Sequence, residues 1–244
     1  QELAGKSFDE LKDAAQNEWE ELLSKIEIES DDEEQMKTFY TCLYRMFLFP
    51  RVFYDWNEEG KAIHYSPADG SIRDGVMYTD NGFWDTYKTV YPLYSLILSD
   101  RYSEMIDGFL NYYDESGWLP KWLSPGERGY MPGTMIDAVL ADAVVKGVVT
   151  DRAKIEKMLE GMLKHANQTP ELEVHGRQGI EQFLEYGYVT NNVKESVNKT
   201  LDYAYGDFCI EQIAKALGKE DLAKEYAKRA LNYQNLFDKE TTFM

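Results

Sequence analysis

The residues best suited to chemistry fall in one stretch, Gly117-Trp118-Leu119-Pro120-Lys121-Trp122-Leu123-Ser124-Pro125-Gly126-Glu127-Arg128-Gly129-Tyr130-Met131-Pro132-Gly133. A single carboxylate, Glu127, sits there among glycines, with three prolines and two tryptophans around it. Each proline lacks an N–H and fixes φ, and each glycine adds backbone freedom, so no helix interior runs through the segment. It reads as an ordered loop that sets the flat faces of Trp118 and Trp122 around one acid. Such a group suits general-acid cleavage of a sugar linkage, which needs a protonated carboxyl whose pKa is raised by apolar surroundings. The alternative is a Glu127 paired with an arginine or lysine at the surface.

Other groups point the same way. In Tyr78-Thr79-Asp80-Asn81-Gly82-Phe83-Trp84-Asp85-Thr86, Trp84 offers a face to a pyranose ring, and Asn81 and Asp85 can bond vicinal hydroxyls. The competing reading is a helix start capped by Asn81 with Trp84 in the core. Asp202 and Asp207 lie five residues apart on a predicted helix, about 140° around its axis, so they form no dyad by themselves. Acids among so many aromatics need partners if buried; as caps or surface acids they need none. His175 falls on a loop between Val174 and Gly176, where a substrate role competes with an ordinary loop position. No zinc-protease, phosphate-loop, nucleophile-elbow or EF-hand pattern occurs.

The elements that must hold these groups are mainly helical. Residues 8–26 form an amphipathic helix capped by Ser7 with Glu10 three residues on. Residues 33–49 form a second helix, apolar around most of its circumference and so expected to be buried, ended by Pro50. Between them runs the acidic stretch 27–34, a solvated connector or helix start. Residues 51–82 are a long irregular insertion with short β-like pieces such as Ala62–Tyr65. Helical periodicity returns at 83–98, split or kinked by Pro92, then at 101–114, 134–147, 151–166, 178–186, 196–217 and 219–237. Gly147, Gly187 and Gly218 stand where helices should end.

Composition narrows the partners. The 244 residues carry a net charge of −18, which argues against nucleic acid or an anionic membrane surface. No apolar run is long enough to span a bilayer, and the first residues lack the pattern of a signal peptide. Two cysteines, Cys42 and Cys209, give neither a disulfide framework nor a zinc site and leave the compartment open. Eighteen tyrosines and five tryptophans exceed what packing alone needs and suit carbohydrate contact.

Several motifs in one order carry a family likeness. Phe39-Tyr40-Thr41-Cys42-Leu43-Tyr44 is followed by Pro50-Arg51-Val52-Phe53, then Trp84-Asp85-Thr86-Tyr87, Tyr91-Pro92-Leu93, Gly117 to Trp122, and Gly126-Glu127. Tyr186-Gly187-Tyr188-Val189, Ser196 to Tyr205, and Asn232 to Asp238 continue it. This chain resembles the catalytic domain of family 92 glycoside hydrolases, mostly bacterial, calcium-dependent exo-acting α-mannosidases. The resemblance implies a mainly α fold: residues 1–32 as linking helix and acidic connector, and 33–244 as the first part of an (α/α)6 barrel, incomplete at its C-terminus. A mannose-containing glycan is the implied partner. The β-sandwich and the rest of the barrel would be missing, with the general base and most calcium ligands; no ligand can be matched here. By motif position Glu127 is the implied general acid. Trp84 and Asp85 match the segment holding the terminal mannose; Asn81, Trp118, Trp122, His175 and Asp202 join them as substrate-binding candidates.

The pattern departs from the family at Met131-Pro132-Gly133-Thr134-Met135, where many members have Met-Ile-Gly before a histidine. It departs again at Gly206-Asp207 and Asp202, where a double aspartate and a glutamate are usual. Leaving-group recognition is therefore expected to differ. The rival expectations are a non-catalytic helical-hairpin scaffold that binds a protein, suggested by Leu222 to Ala230, and a barrel glycosidase for another sugar. Clustering of Trp84, Asp85 and Glu127 would favour the enzyme.

Overall fold

The computed structural model describes residues 3 and 5–244. Its contacts divide it into two compact units, Gln1–Phe49 and Pro50–Met244. In the first unit, α1 (Phe8–Leu23) begins with the expected capping box: Glu10 N–H donates to Ser7 Oγ at 3.3 Å and Ser7 N–H to Glu10 Oε2 at 2.7 Å. Helix α2 (Glu33–Met46) is capped by Asp32, whose Oδ1 accepts from Glu34 and Gln35 N–H, so the acidic stretch does start a helix. Trp19 and Tyr44 meet at 4.5 Å between ring centroids, and Tyr40 bonds to Ile26 and Ile28 of the connector.

One expectation changes here. Helix α2 is not buried: Leu43 is its one buried residue, and Tyr44 is 40% exposed. Its apolar residues surround the axis, whereas α1 can cover only one side of it. By contacts α2 groups with α1.

The second unit opens with the 51–82 insertion, which is more ordered than its composition suggests. It contains β1 (Arg51–Val52), β2 (Asp55–Trp56), β3 (Ala62–Tyr65), β4 (Ile72–Asp74), β5 (Tyr78–Thr79) and β6 (Asn81–Gly82). All pairings are antiparallel: β1 with β5, and β2-β3-β4 in order. Strand β6 instead pairs with β7 (Trp122–Leu123), Asn81 opposite Leu123 and Gly82 opposite Trp122.

Helices α3 (Phe83–Thr86), α4 (Val90–Ile97), α5 (Ser99–Ser116), α6 (Ile136–Val145), α7 (Arg152–Asn167), α8 (Ile180–Tyr186), α9 (Ser196–Ala216) and α10 (Glu220–Arg229) complete the unit, with a 3₁₀ turn at Ala230–Leu236. The periodicity at 83–98 splits between α3 and α4. Pro92 falls in the first turn of α4, where its missing N–H breaks no helical bond. Gly147, Gly187 and Gly218 all lie at helix ends with positive φ, as expected.

The core gathers around α5, α6 and α9, where Tyr102, Ile106, Phe109, Ile136, Val139, Leu140, Ile210 and Ile213 are buried. Among the helix faces, α6 packs on α9 and α9 on α10. Among the described residues, no helix is long and apolar enough to cross a membrane.

A buried ion cluster ties these helices together. Arg177 is fully buried; it donates to Asp207 Oδ1 at 2.7 Å, Asp137 Oδ2 at 3.2 Å and Thr134 Oγ1 at 3.3 Å. Arg229 reaches the other oxygen of Asp207 at 2.9 Å, and His165 Nδ1 lies 3.3 Å from Asp137 Oδ1. One loop and four helices, α6, α7, α9 and α10, thus share one set of charges. Asp207 is accordingly neither cap nor surface acid. Each charge is compensated, which burial in a low dielectric demands.

Candidate active site

The β6–β7 ladder is what builds the site. It brings the Asn81–Asp85 segment beside the Glu127 loop, about forty residues later in the chain. A further bridge joins Leu123 to Glu127, Arg128 N–H donates to Trp122 O at 2.9 Å, and Ser124 Oγ donates to Asp80 Oδ1 at 2.8 Å. The loop is therefore folded back on its own strand and pinned to the insertion. Gly82 permits the approach: a Cβ there would lie 2.1 Å from Trp122 Nε1 and 2.9 Å from Asp85 Oδ2. Gly82→Ala is expected to cost about 2 kcal/mol and to displace the Trp122 ring, because the site is overpacked. A lowered thermal midpoint with altered tryptophan fluorescence would show it; an unchanged midpoint would contradict the packing described.

Glu127 is held by main chain alone. Its Oε2 accepts from Lys121 N–H at 2.6 Å, and its Oε1 from Trp122, Arg128 and Gly129 N–H at 3.0, 3.1 and 2.9 Å. Its own N–H donates to Tyr112 Oη at 3.3 Å. Arg128 is exposed and turns away, its Nε on Ser124 O, so the surface ion pair with a neighbouring arginine does not form. Burial pushes the Glu127 carboxyl up, against the pull of those N–H donors and of the Lys121 ammonium. The four N–H donors hold the carboxylate in one orientation. The acid lines a cavity of about 580 Å³ with Tyr65, Tyr112, Glu115, Leu172 and His175.

His175 is on a loop as expected and faces that cavity. Burial, then the charges of Lys121, His165 and Lys164, holds its pKa below the usual value, so it is a neutral donor or acceptor near pH 7. Its ring stacks with Trp118 at 6.1 Å, and Trp118 stacks with His165 at 5.9 Å. Trp118 is only 9% exposed. It supports His175 and has no open face for a sugar, which corrects its expected role.

The other candidates form a neighbouring group outside that cavity. Trp84 is half-buried, with the Lys88 ammonium 4.8 Å from its ring centre, and its indole bonds to the Asp202 carboxylate. It is not a core tryptophan. Asp85 is exposed, and Trp122 is half-buried, edge-on to Tyr130 at 5.7 Å. Asn81 does not cap α3: Gly82 holds that position, with no side-chain cap. Asn81 is instead buried with its Nδ2 unpartnered, a donor aimed at no protein group.

Asp202 receives Asn198 Nδ2 at 3.0 Å, and Gly133 leaves room for it, since a Cβ there would fall 2.7 Å from Asp202 Oδ2. Burial pushes its pKa up to about 6. A carboxyl raised on folding binds its proton more tightly in the folded state, so stability is lost as pH rises from the unfolded value of 3.8 through about 6. Asp202→Asn should abolish this share. The variant's thermal midpoint is expected to gain on that of the unsubstituted protein between about pH 4 and 7. Parallel profiles would contradict the assignment.

Sequence reasoning missed Tyr112, Glu115 and Lys121 as site residues. Tyr112 and Glu115 read as ordinary members of a helical period. Lys121 lies inside the loop already singled out, and its place beside the acid was the available signal. Among the described residues, no group of three or more histidines, cysteines or acids could hold a metal ion, so the calcium implied by the resemblance is not accommodated by these side chains.

Comparisons with known proteins place the chain in a family. The family model described as the glycosyl hydrolase family 92 catalytic domain matches residues 1–244. Among solved structures, the family GH92 inverting mannosidase BT2199 from Bacteroides thetaiotaomicron is 42% identical, with a TM-score of 0.94, over 100% of this chain and 33% of that one. The α-mannosidase BT3965 of the same organism, solved with mannoimidazole, is 34% identical with a TM-score of 0.88, over 100% of this chain and 31% of that one. An uncharacterized secreted glycosidase of Arthroderma benhamiae is 26% identical over 96% of this chain and 27% of its own length. The chain thus spans about a third of the length of these relatives. Its helices are those of a domain that in family 92 structures is an (α/α)6 barrel. The chain belongs to glycosyl hydrolase family 92, to whose catalytic domain its whole length corresponds.

Proposed function

We propose that this chain forms part of the catalytic domain of an inverting exo-α-mannosidase that removes terminal α-linked mannose from glycans, with Glu127 as general acid. The observation that carries the reading is the placement of Glu127: a half-buried carboxylate, raised by burial, at the wall of a cavity and one β-ladder away from Trp84 and Asp85. Inversion needs a base on the opposite face of the sugar to activate water, with room for that water between the two carboxyls. The second carboxyl of the cavity, Glu115, is engaged by His64 Nε2 at 2.7 Å, so the base would lie outside this chain.

Trp84 and Asp85 would hold the terminal mannose, Trp84 by its ring and Asp85 by its exposed carboxylate. Asn81, with an unpartnered buried amide, and Asp202 would brace that group. His175 would meet the leaving sugar on the Glu127 side. The similarity to BT2199 and BT3965 supports mannose as the sugar. Calcium would be held by residues beyond those described, and no step of this reading passes through it.

The test is release of mannose from α-linked mannobiose by the full-length protein that contains this chain, with and without a chelator. Mannose release that stops with chelator supports the reading. Release of a different sugar from a panel of disaccharides, with none from mannobiose, would overturn it.

A further inference from the structure

His64, on β3, and Glu115, in the last turn of α5, meet in a buried contact beside the Glu127 cavity. The imidazole is fully covered, and the Glu115 side chain is 7% exposed. Both ring nitrogens are engaged: Nδ1 lies 2.8 Å from Gly75 O, and Nε2 lies 2.7 Å from Glu115 Oε1. A carbonyl oxygen only accepts, so Nδ1 carries a proton and donates to Gly75 O. A neutral ring has one N–H, and Nδ1 has used it. The contact between Nε2 and Oε1 therefore needs a second proton, either on Nε2, which makes the ring an imidazolium facing a carboxylate, or on Glu115. Without it, lone pairs would face each other where no water solvates them. Glu115 Oε2 has no hydrogen-bond partner among the described residues, so no other donor offsets that loss.

The pair joins two walls of the cavity. From His64 the chain runs into Tyr65 and a turn back to β4, closed by Ser66 N–H on Ser71 O at 2.8 Å and Gly70 N–H on Ser66 O at 2.9 Å. Tyr65, Pro67 and Ala68 of this segment line the cavity, as do Tyr112, Glu115 and Ser116 of α5. Pro67 also packs on the loop of the acid, since a Cβ at Gly126 would come within 3.4 Å of it. Other charges surround the pair. Arg73, opposite His64 in the β3–β4 register, is exposed and paired with Asp69, and its charge bears on Glu115. Asp55 and Asp74 flank β3 and are exposed. Burial pushes the Tyr112 phenol up to about 12, so it stays neutral. Glu127 and His175 line the same cavity and have protons of their own to exchange, so the pair's effect on activity is read as a difference between variants.

We propose that His64 and Glu115 are positioning residues of the Glu127 cavity: they share one proton, and while they hold it they fix the 65–71 turn to α5 as a wall of the place where the leaving sugar rests. The positioning role rests on the mannosidase reading; the shared proton does not. An unfolded histidine gives up its proton near about pH 6.5. The folded pair keeps one more proton than the unfolded chain above that pH. Its contribution is therefore complete below about pH 6.5 and is lost as pH rises and the folded pair lets its proton go.

Two substitutions separate the parts of the proposal. In Glu115→Gln the amide can donate to Nε2 of a neutral ring, so the contact survives without the shared proton. Glu115→Ala removes both. In the first arm, KM and kcat for α-linked mannobiose are measured on the full-length protein from about pH 6 to about pH 9. At the acid end, Glu115→Ala is expected to raise KM about tenfold with little change in kcat, while Glu115→Gln stays within about threefold of the unsubstituted protein. Toward the alkaline end, KM of the unsubstituted protein should rise about threefold or more relative to that of Glu115→Gln. In the second arm, hydrogen–deuterium exchange of residues 62–75 is followed over the same range and corrected for its intrinsic pH dependence. Protection is expected to fall with rising pH in the unsubstituted protein and to hold in Glu115→Gln. Protection that keeps one ratio between the two proteins at every pH would overturn the shared proton. Damage by Glu115→Gln equal to that by Glu115→Ala, or a Glu115→Ala loss confined to kcat, would overturn the positioning role. If no mannoside is cleaved by the unsubstituted protein, the mannosidase reading fails and the positioning role with it, while the exchange arm still decides the shared proton.

Discussion

Glu127→Gln in the full-length protein is expected to lower kcat/KM on α-mannobiose about a thousandfold, within the usual range for loss of a general acid. Aryl mannosides whose phenol leaves without protonation should lose far less, because only a poor leaving group needs the proton. That split separates chemistry from folding. The substitution also has a structural cost: the carboxylate accepts four N–H bonds, and an amide replaces one accepting oxygen with donors. Some loosening of the loop is therefore expected, about 1–2 kcal/mol, and would slow both substrates equally. Equal loss on both would assign Glu127 to holding the loop rather than to proton transfer.

The largest expected stability effect belongs to Arg177→Met. Arg177 is fully buried and bridges Asp137 and Asp207. Removing its charge leaves Asp137 with His165 and Thr134, and Asp207 with Arg229 alone. Breaking a buried pair by deleting one partner costs about 3–5 kcal/mol, since the remaining charge stays desolvated. Arg229 is partly exposed and pairs with one carboxylate, Asp207, its other partners Asn167 Oδ1, Tyr226 Oη and Ala166 O being neutral, so Arg229→Met should cost less. Thermal and denaturant midpoints of the two variants measure the difference. A loss below about 1 kcal/mol for Arg177→Met would mean that water or a shifted side chain replaces its charge.

What could be read from the sequence was local. Ser7 and Glu10 announce a capping box because both halves of the motif lie within four residues. Pro92 and the glycines at 147, 187 and 218 mark helix ends through their own backbone limits. The candidate acid was legible because prolines and glycines around Glu127 exclude a helix. What could not be read depends on partners distant in the chain. The pairing of Asn81–Gly82 with Trp122–Leu123 has no signature in either two-residue strand, yet it assembles the site. Trp118 looked like a sugar platform because composition shows a ring but not the His165 and His175 rings stacked with it. Arg177 and Asp207 are thirty residues apart, and neither spacing nor hydropathy reveals that each neutralises the other. For α2, an apolar circumference suggested burial, but burial requires neighbours that a helix cannot declare.

The central claim is tested most directly by the anomeric form of the first mannose released. Proton NMR during hydrolysis of α-linked mannobiose by the full-length protein, recorded before mutarotation, should show β-mannose appearing first and α-mannose later. Initial release of α-mannose would contradict inversion. No mannose at all would contradict the mannosidase reading itself.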